Sequence, residues 1–165
     1  MREVVTKLRK IKLLALDFDG VMTDNRLIVD ETGKESVVCN RADGLGIEML
    51  KKHTNIDVIV ISKEKNKVVA SRCEKLNIKC IHGLDNKVAK LKDEVEKRNI
   101  SFEEVCYVGN DINDIECIQQ AGVGIAVADS YPDVLKAADL VTTRKGADGA
   151  VREICDWILG REEIE

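Results

Sequence analysis

Short apolar runs alternate with longer stretches of helical periodicity along almost the whole chain. The apolar runs are rich in Ile, Val and Leu, and they predict buried strands at 11–16, 57–61, 79–81, 105–108, 124–126 and 140–141. The stretches between them predict helices at 44–53, 65–76, 87–98, 114–121, 132–137 and 147–159. Because strand and helix alternate, we predict an α/β fold with a doubly wound parallel sheet covered by helices on both faces.

One segment departs from this alternation. Residues 26–30 and 34–39 are two strand-like runs around a turn at 31–33, which predicts a β-hairpin inserted after the first strand. Its small apolar face consists of Leu27, Val29 and Val37. Since an isolated two-stranded ribbon is marginally stable in water, we expect the hairpin to pack against something else, such as another subunit.

Length and charge restrict the organisation and the partners. A chain of 165 residues fits a single domain, 1–165, with the hairpin at 26–39 and a C-terminal tail at 144–165. The composition, 44% hydrophobic and 34% charged, is that of a globular protein. A net charge of -4, with Lys and Arg interspersed among acids, argues against a nucleic-acid surface. A small molecule is therefore the expected partner.

Two further features concern the compartment. No apolar run approaches the roughly 20 residues that a membrane-spanning helix needs, and no secretory core follows the basic N-terminal residues. We therefore expect a cytoplasmic protein with no membrane partner. The six cysteines are scattered without a close pair, which favours reduced thiols over a disulfide or zinc framework.

The candidate chemistry follows the predicted strands, because open parallel sheets bind ligands at the carboxyl ends of their strands. Asp17 and Asp19 come directly after the first strand, followed by Gly20. Asp and Gly also favour ordinary turns. However, two carboxylates at the end of an apolar strand repel each other unless a cation lies between them, and a hard divalent cation with oxygen ligands meets that need.

The run from Asp17 to Asp24, D-F-D-G-V-M-T-D, resembles the first motif of the haloacid dehalogenase superfamily, D-x-D-G-x-[TV]. The resemblance implies a Rossmann-like fold of that superfamily. It also implies that Asp17 attacks phosphorus to form an aspartyl-phosphate, and that Asp19 is the general acid and base. The implied cofactor is Mg2+, held in part by Asp17 and by the backbone carbonyl of Asp19.

Three more strand ends match the superfamily's remaining motifs, in order. Ser62 fits the hydroxyl that binds the phosphoryl group, although a serine there is also a common helix cap. Lys87 fits the lysine that balances charge, although a solvated surface lysine is the ordinary alternative; its place at a helix start opposes the helix dipole. In G-N-D-I-N-D, Asn110 stands where the family usually has a ligating Asp, so the metal ligands are predicted among Asn110, Asp111 and Asp114.

The chain leaves no room for a cap domain, so we predict a capless member. The hairpin, A-D-G-L-G-I at 42–47 and K-G-A-D-G-A-V-R-E at 145–153 resemble the phosphatases of 3-deoxy-octulosonate 8-phosphate and of nine-carbon keto-acid phosphates. The same module also occurs fused to acylneuraminate cytidylyltransferases. That branch implies a homotetramer in which neighbouring subunits help to close each site, with Arg152 as a substrate contact.

Two positions depart from the pattern of the octulosonate phosphatases: Ser62, Lys63 and Glu64 stand in place of Thr-Gly-Arg, and Ala42, with Arg41 one place earlier, stands where they tend to have Arg before Asp-Gly. Glu64 stands where those phosphatases carry an arginine, and Glu64 with Lys75 resembles the pattern of the nine-carbon sugar phosphatases. This favours a nonulosonate 9-phosphate slightly over an octulosonate 8-phosphate, although the two residues could simply form a surface salt bridge. Because of Asn110, a second hypothesis is a weakly active or inactive oligomerisation module that accompanies an acylneuraminate cytidylyltransferase.

Overall fold

The computed structural model describes residues 2–164; Met1 and Glu165, the ends of the predicted 1–165 domain, lie outside the described residues. The strands are β1 (Leu13–Leu16), β2 (Ile28–Val29), β3 (Glu35–Ser36), β4 (Asp57–Ile61), β5 (Lys79–Ile81), β6 (Val105–Gly109), β7 (Val123–Ala126) and β8 (Leu140–Val141). The α-helices are α1 (Arg2–Leu8), α2 (Arg41–His53), α3 (Val68–Leu76), α4 (Lys87–Lys97), α5 (Ile115–Gln120), α6 (Pro132–Ala137) and α7 (Ala150–Ile158).

Six of the strands form one parallel sheet in the order β5-β4-β1-β6-β7-β8. β1 lies at its centre, where Leu14 is opposite Val58 of β4 on one side and Cys106 of β6 on the other. The chain winds outward from β1 through β4 and β5, and then in the opposite direction through β6, β7 and β8. This order confirms the predicted doubly wound fold and places its switch point, where such sheets bind ligands, between β1 and β6.

Both faces of the sheet are buried, which explains why its strands are continuously apolar in the sequence. Successive side chains of a strand point to opposite faces. Leu14 therefore belongs to a core cluster with Ile154 of α7, whereas Leu13 belongs to a second cluster with Leu91 of α4. Because helices cover both faces, the edge formed by the strand ends is where the chain can build a pocket.

The hairpin is present as predicted, as a separate two-stranded antiparallel sheet in which Ile28 of β2 faces Ser36 of β3. Of the predicted apolar face, only Val37 packs against the core. Leu27 and Val29 are 54% and 58% exposed, and Ile28 is 62% exposed. Within one chain, most of the apolar surface of the hairpin is therefore in contact with solvent.

Several helices differ from the prediction, with α3 beginning at Val68 rather than at residue 65 and α7 at Ala150 rather than at residue 147. Helix α1 was not predicted, because its contact with the core involves little more than Val4 and Leu8, one turn apart. Helix α2 begins at Arg41 rather than at residue 44, because the side chain of Asn40 accepts a hydrogen bond from the backbone N–H of Ala42 and caps the helix there.

No helix in residues 2–164 combines the length and hydrophobicity needed to cross a bilayer. All six cysteines are free thiols.

Candidate active site

The carboxyl ends of β1, β4 and β6 meet the start of α4 around an open pocket of about 390 Å³. All of the residues that line it have polar or charged side chains. They are Asp17, Asp19, Asn25, Ser62, Lys63, Glu64, Lys65, Lys87, Asn110, Asp111 and Asn113. Residues from four distant parts of the chain therefore converge where the doubly wound topology predicts a ligand.

Asp17 forms the floor of this pocket. It follows β1, is 5% exposed, and its Oδ1 accepts hydrogen bonds from its neighbour Phe18 N–H at 2.7 Å and from Lys87 Nζ at 2.8 Å. Burial, reinforced by the negative charge of Asp114, raises the pKa of Asp17 to about 8, and Lys87 offsets only part of this effect. The carboxylate is thus held in one orientation but lacks positive charge.

Lys87 connects two carboxylates. As the first residue of α4 it is 3% exposed, and its Nζ lies 2.8 Å from Asp17 Oδ1 and 2.8 Å from Asp114 Oδ1. Burial by itself would lower the pKa of Lys87, but the two carboxylates outweigh it and raise that pKa, so the ammonium stays charged. The alternative of a solvated surface lysine is therefore excluded for Lys87.

Asp114, predicted among the metal ligands, instead binds the ammonium group of Lys87 from outside the pocket. Its Oδ1 accepts from Lys87 Nζ and from the hydroxyl of Tyr107, each at 2.8 Å. Its Oδ2 accepts from the backbone N–H groups of Asn110 at 3.0 Å and Asp111 at 3.3 Å. The side chain is fully buried and does not line the pocket. We therefore correct the prediction: Asp114 positions Lys87 and the loop after β6.

Asp19 lies at the pocket wall, two residues beyond Asp17, and is half-buried. Burial raises the pKa of Asp19, and the negative charge of nearby Glu64 raises it further. A carboxyl group with a raised pKa holds a proton more readily than a free aspartate, which suits proton transfer to a leaving group. The loop that carries Asp19 is shaped by the buried Thr23, whose Oγ1 accepts from the N–H groups of Gly20 at 3.1 Å and Asn25 at 3.2 Å.

Asn110 contributes an unsatisfied oxygen. The residue is 4% exposed, and within the described part of the chain its Oδ1 is buried with no hydrogen-bond partner. Its backbone is fixed on both sides, by Asp114 Oδ2 and by the N–H of Tyr131 at 3.1 Å. Since buried polar atoms are almost always paired, this free carbonyl oxygen fits the role of a ligand to a hard cation.

The donor set as a whole also fits a cation. Among residues 2–164, no three acidic, His or Cys side chains converge as a metal site by themselves. A cation here would therefore need neutral oxygens in addition to carboxylates. Asp17, Asp19 and Asn110 all line the same pocket and offer such oxygens. Asp111 also lines it, although its Oδ1 accepts from the N–H of Ile112 at 2.7 Å.

Ser62 is buried at the end of β4, and its Oγ accepts from the N–H of Glu64 at 3.1 Å. Because a hydroxyl both donates and accepts, this contact leaves its proton available to a ligand in the pocket. Glu64, two residues further along the same loop, also lines the pocket. Both predicted positions thus reach the site.

Lys75 and Arg152 do not reach the pocket within one chain. Lys75 lines a different cavity between α2 and α3. Arg152, on α7, is ion-paired with Asp156 through Nε at 2.6 Å, and its backbone N–H donates to Asp43 at 2.9 Å. Their predicted substrate contacts would require a neighbouring subunit.

Two contacts that shape the site are not predicted by the sequence. Tyr107 reads as a buried strand residue, and only the structure shows its hydroxyl on Asp114. Gly146 packs so closely against the backbone carbonyls of Gly20 and Thr23 that a side chain would displace them. The glycine-rich tail motif signals such a close approach, but its partner, the loop after β1, is more than a hundred residues away in the sequence.

Comparison with known proteins agrees with this geometry. Residues 45–154 match the model of the haloacid dehalogenase-like hydrolase family. The chain is 40% identical over 157 residues, 94% of this chain and 83% of the relative, to 3-deoxy-D-manno-octulosonate 8-phosphate phosphatase of Salmonella typhi. The chain therefore belongs to the haloacid dehalogenase-like hydrolase family.

Two solved structures are also similar. The same phosphatase from Moraxella catarrhalis, in complex with magnesium, phosphate and KDO, has a TM-score of 0.93 at 33% identity and covers 98% of this chain and 93% of its own. The cobalt-bound deoxy-D-mannose-octulosonate 8-phosphate phosphatase of Haemophilus influenzae has a TM-score of 0.89 at 33% identity, covering 94% and 91%. Phosphatases of this family have thus been solved with divalent metals.

Proposed function

We propose that this protein is a magnesium-dependent phosphatase that hydrolyses a sugar-acid phosphate through an aspartyl-phosphate intermediate. The observation that carries the proposal is the Asp17 carboxylate, fixed by Lys87 at the floor of a polar pocket at the switch point. Family membership and the named relatives support the same class, a phosphoric monoester hydrolase.

The orientation of Asp17 defines the nucleophile. Its Oδ1 is engaged by Phe18 N–H and Lys87 Nζ, so we assign Oδ2 to the attack on phosphorus. The new bond joins Oδ2 to phosphorus while the bond from phosphorus to the sugar oxygen breaks. Ser62 and Lys87 are positioned to hold the phosphoryl oxygens, the first by its hydroxyl proton and the second by its charge.

Asp19 moves the proton in both halves of the reaction. In the first half its carboxyl group protonates the departing sugar oxygen, as its raised pKa favours. In the second half the resulting carboxylate takes a proton from the water that attacks the aspartyl-phosphate, which releases inorganic phosphate and restores Asp17. Asp19 is half-buried in an open pocket, so water can reach this position.

We propose that Asp17, the backbone carbonyl of Asp19, and Asn110 or Asp111 hold the cation, with Mg2+ as the physiological ion. Hard oxygen ligands suit Mg2+, and the magnesium-bound Moraxella relative supports this assignment. A bound divalent cation supplies positive charge to the nucleophile and to the phosphoryl oxygens. The free Oδ1 of Asn110 makes it the preferred third ligand over Asp111, whose carboxylate caps the following turn.

Two sugar-acid phosphates are the candidate substrates. The names of the relatives favour 3-deoxy-octulosonate 8-phosphate. Glu64, an acid beside the pocket in place of an arginine, favours a nonulosonate 9-phosphate, because it offers hydrogen-bond acceptance to hydroxyl or amine groups rather than charge to a carboxylate. Both belong to one chemical class, a phosphate ester at the end of a keto sugar acid.

We further propose a homotetramer in which the hairpins pack together. Leu27, Ile28, Val29 and Val38 form an exposed apolar surface on or beside the hairpin. Burying such surface against another copy would stabilise both the hairpin and the assembly. Neighbouring subunits could then bring Lys75 or Arg152 to a site that they do not reach in their own chain. Light scattering at micromolar concentration should give the mass of four chains, and a fully active monomer would contradict the model.

A phosphate-release screen tests the proposal. With Mg2+ present, we expect kcat/KM for one of the two sugar-acid phosphates to exceed that for p-nitrophenyl phosphate and hexose phosphates by at least about tenfold. Asp17→Asn, prepared identically, is the control for contaminating phosphatase. Turnover of none of these esters would instead favour the second hypothesis, an inactive module beside an acylneuraminate cytidylyltransferase.

A further inference from the structure

One hydrogen bond joins the hairpin to the rim of the pocket. Asn66 Nδ2 donates to Glu35 Oε2 of β3 at 2.9 Å, across 31 positions of the sequence. Among the described side chains, no other hydrogen bond or ion pair joins residues 26–38 to a residue outside 23–40. The position of the hairpin therefore depends on this contact, on the packing of Val37 and Cys39 against the core, and on the bridge between Cys39 and Thr23.

Asn66 forms hydrogen bonds with three different parts of the chain. Its backbone N–H donates to Glu64 Oε1 at 2.7 Å, and its side-chain Oδ1 accepts from the N–H of Val68 at 3.0 Å, at the start of α3. Its Nδ2 is the group that reaches Glu35. Asn66 thereby links Glu35 of the hairpin to the side chain of Glu64.

The segment between β4 and α3 forms one wall of the pocket, with Lys63, Glu64 and Lys65 all lining it. The middle of this wall is also fixed from the other side. The carbonyl of Glu64 accepts from the N–H of Gly83 at 2.9 Å, and the ring of His82 lies 3.2 Å away through Nδ1. Glu35 and Asn66 therefore supply the restraint on the hairpin side of this wall.

We propose that Glu35 and Asn66 are positioning residues that hold the wall at residues 63–65 against the hairpin and thereby set the affinity for the non-phosphoryl part of the substrate. The inference rests on the proposed function, since it concerns the same pocket. Asp17 and Lys87 are fixed by contacts with each other, with Phe18 and with Asp114, none of which involves the wall. Loosening the wall therefore affects KM for a large ester more than it affects phosphoryl transfer.

The first test compares three single variants. Glu35→Ala removes the acceptor, Glu35→Gln keeps an acceptor oxygen without the charge, and Glu31→Ala is the matched control, because Glu31 is exposed at the hairpin turn without a partner among the described residues. We expect Glu35→Ala to raise KM for the preferred sugar-acid phosphate about five- to tenfold, as loss of one hydrogen bond to a charged group allows, with a smaller rise for p-nitrophenyl phosphate. Glu35→Gln should recover most of the loss.

A second pair of variants reverses the polarity of the bond. Asn66→Asp keeps the oxygen that caps α3 but opposes a carboxylate to Glu35, and should raise KM at least as much as Glu35→Ala. Adding Glu35→Gln to Asn66→Asp puts the donor on the hairpin and the acceptor on the loop, and should lower KM again. A double variant no better than Asn66→Asp alone would overturn the proposal, as would a Glu35→Ala enzyme with the kinetics of Glu31→Ala.

Amide hydrogen exchange separates this proposal from the proposed function. Glu35→Ala should speed exchange in residues 62–67 several-fold over wild type, whereas Glu31→Ala should not. If the wild-type protein hydrolyses no sugar-acid phosphate, the proposed function fails, but exchange in this segment still reports the restraint. Equal exchange in Glu35→Ala and wild type would show that the bond holds nothing in place and would overturn the inference.

Discussion

Helix α4 carries a buried charge near each end, and each lies at the end that the helix dipole disfavours. Lys87 is its first residue, and Glu94 lies in its last turn with a fully buried side chain. Lys87 faces two carboxylates, Asp17 and Asp114. Glu94 faces three cations, which are Lys79 at 2.7 Å, Lys97 at 3.4 Å and Arg98 at 2.7 Å.

The difference lies in the balance of charge. At Glu94 the cations are in excess and reach solvent, with Lys79 47% and Lys97 59% exposed, so the group is satisfied by the chain itself. At Lys87 the carboxylates are in excess, they are buried, and Asp19 adds another nearby. A buried ion cluster whose charges are balanced within the chain contributes to stability. A cluster that has more buried carboxylates than cations is suited to binding a positively charged ligand.

The largest expected effect is that of Asp17→Asn. The amide is nearly isosteric but cannot attack phosphorus, so we expect kcat to fall by more than about 10³-fold. Because the substitution also removes one of the excess buried carboxylates, the melting temperature should stay close to that of the wild type or rise. Turnover assays and thermal unfolding measure the two effects. Appreciable turnover by a purified, folded variant would remove Asp17 from the nucleophile role.

Asp114→Asn should give an intermediate effect on both properties. It leaves Lys87 with one carboxylate and places an amide among four donor groups, so we expect kcat to fall about 10- to 100-fold, as for residues that orient a catalytic group. Stability should fall by about 1–3 kcal/mol, because a buried donor loses its acceptor. Denaturant unfolding and steady-state kinetics are the measurements. Wild-type kinetics would show that Lys87 needs no support from Asp114.

Glu94→Gln should have the smallest effect on catalysis while lowering stability by about 1–3 kcal/mol, since it breaks charged hydrogen bonds at the far end of the same helix. Although burial opposes it, hydrogen bonds from Lys79 and Arg98 lower the pKa of Glu94 from its ordinary value of 4.5 to about 2. A depressed folded-state pKa stabilises the protein above the unfolded pKa, and the contribution is lost as pH falls toward 2.

The stability difference between wild type and Glu94→Gln should therefore be full at pH 7 and shrink between about pH 4.5 and pH 2. Unfolding by urea at several pH values measures it, with kcat at pH 7 expected within about twofold of wild type. A difference that is constant across this range would mean that the charge of Glu94 does not contribute. A large loss of kcat would mean that the two ends of α4 are coupled.

Much of the site could be predicted because its residues directly follow strands. Asp17, Ser62 and Asn110 each stand at the end of an apolar run, and parallel topology brings such ends together. Lys87 carried an additional signal, a cation at the wrong end of a helix. Glu94 is likewise a charge at the disfavoured end of a helix, but the sequence does not distinguish it from the solvated acids of the same helix. Only its burial in the fold makes the difference visible.

The remaining features depend on contacts between distant parts of the chain. Asp114 was assigned to the metal because the motif places it near the other acids, but the direction of its side chain follows from Tyr107 and Lys87, which lie elsewhere in the sequence. Arg152 shows the same limit, because its backbone N–H donates to Asp43, 109 positions away in the sequence, and the residue does not line the pocket. A motif therefore identifies which residues meet, whereas packing decides what each one touches.

Trapping the covalent intermediate tests the central claim most directly. The enzyme is mixed with its sugar-acid phosphate and Mg2+, quenched in acid during turnover, and digested for mass spectrometry. We expect a peptide containing Asp17 to gain the mass of one phosphoryl group, and this species to be absent after chelation and in Asp17→Asn. Rapid turnover with no modified Asp17 peptide, or with the phosphoryl group on another residue, would contradict the account.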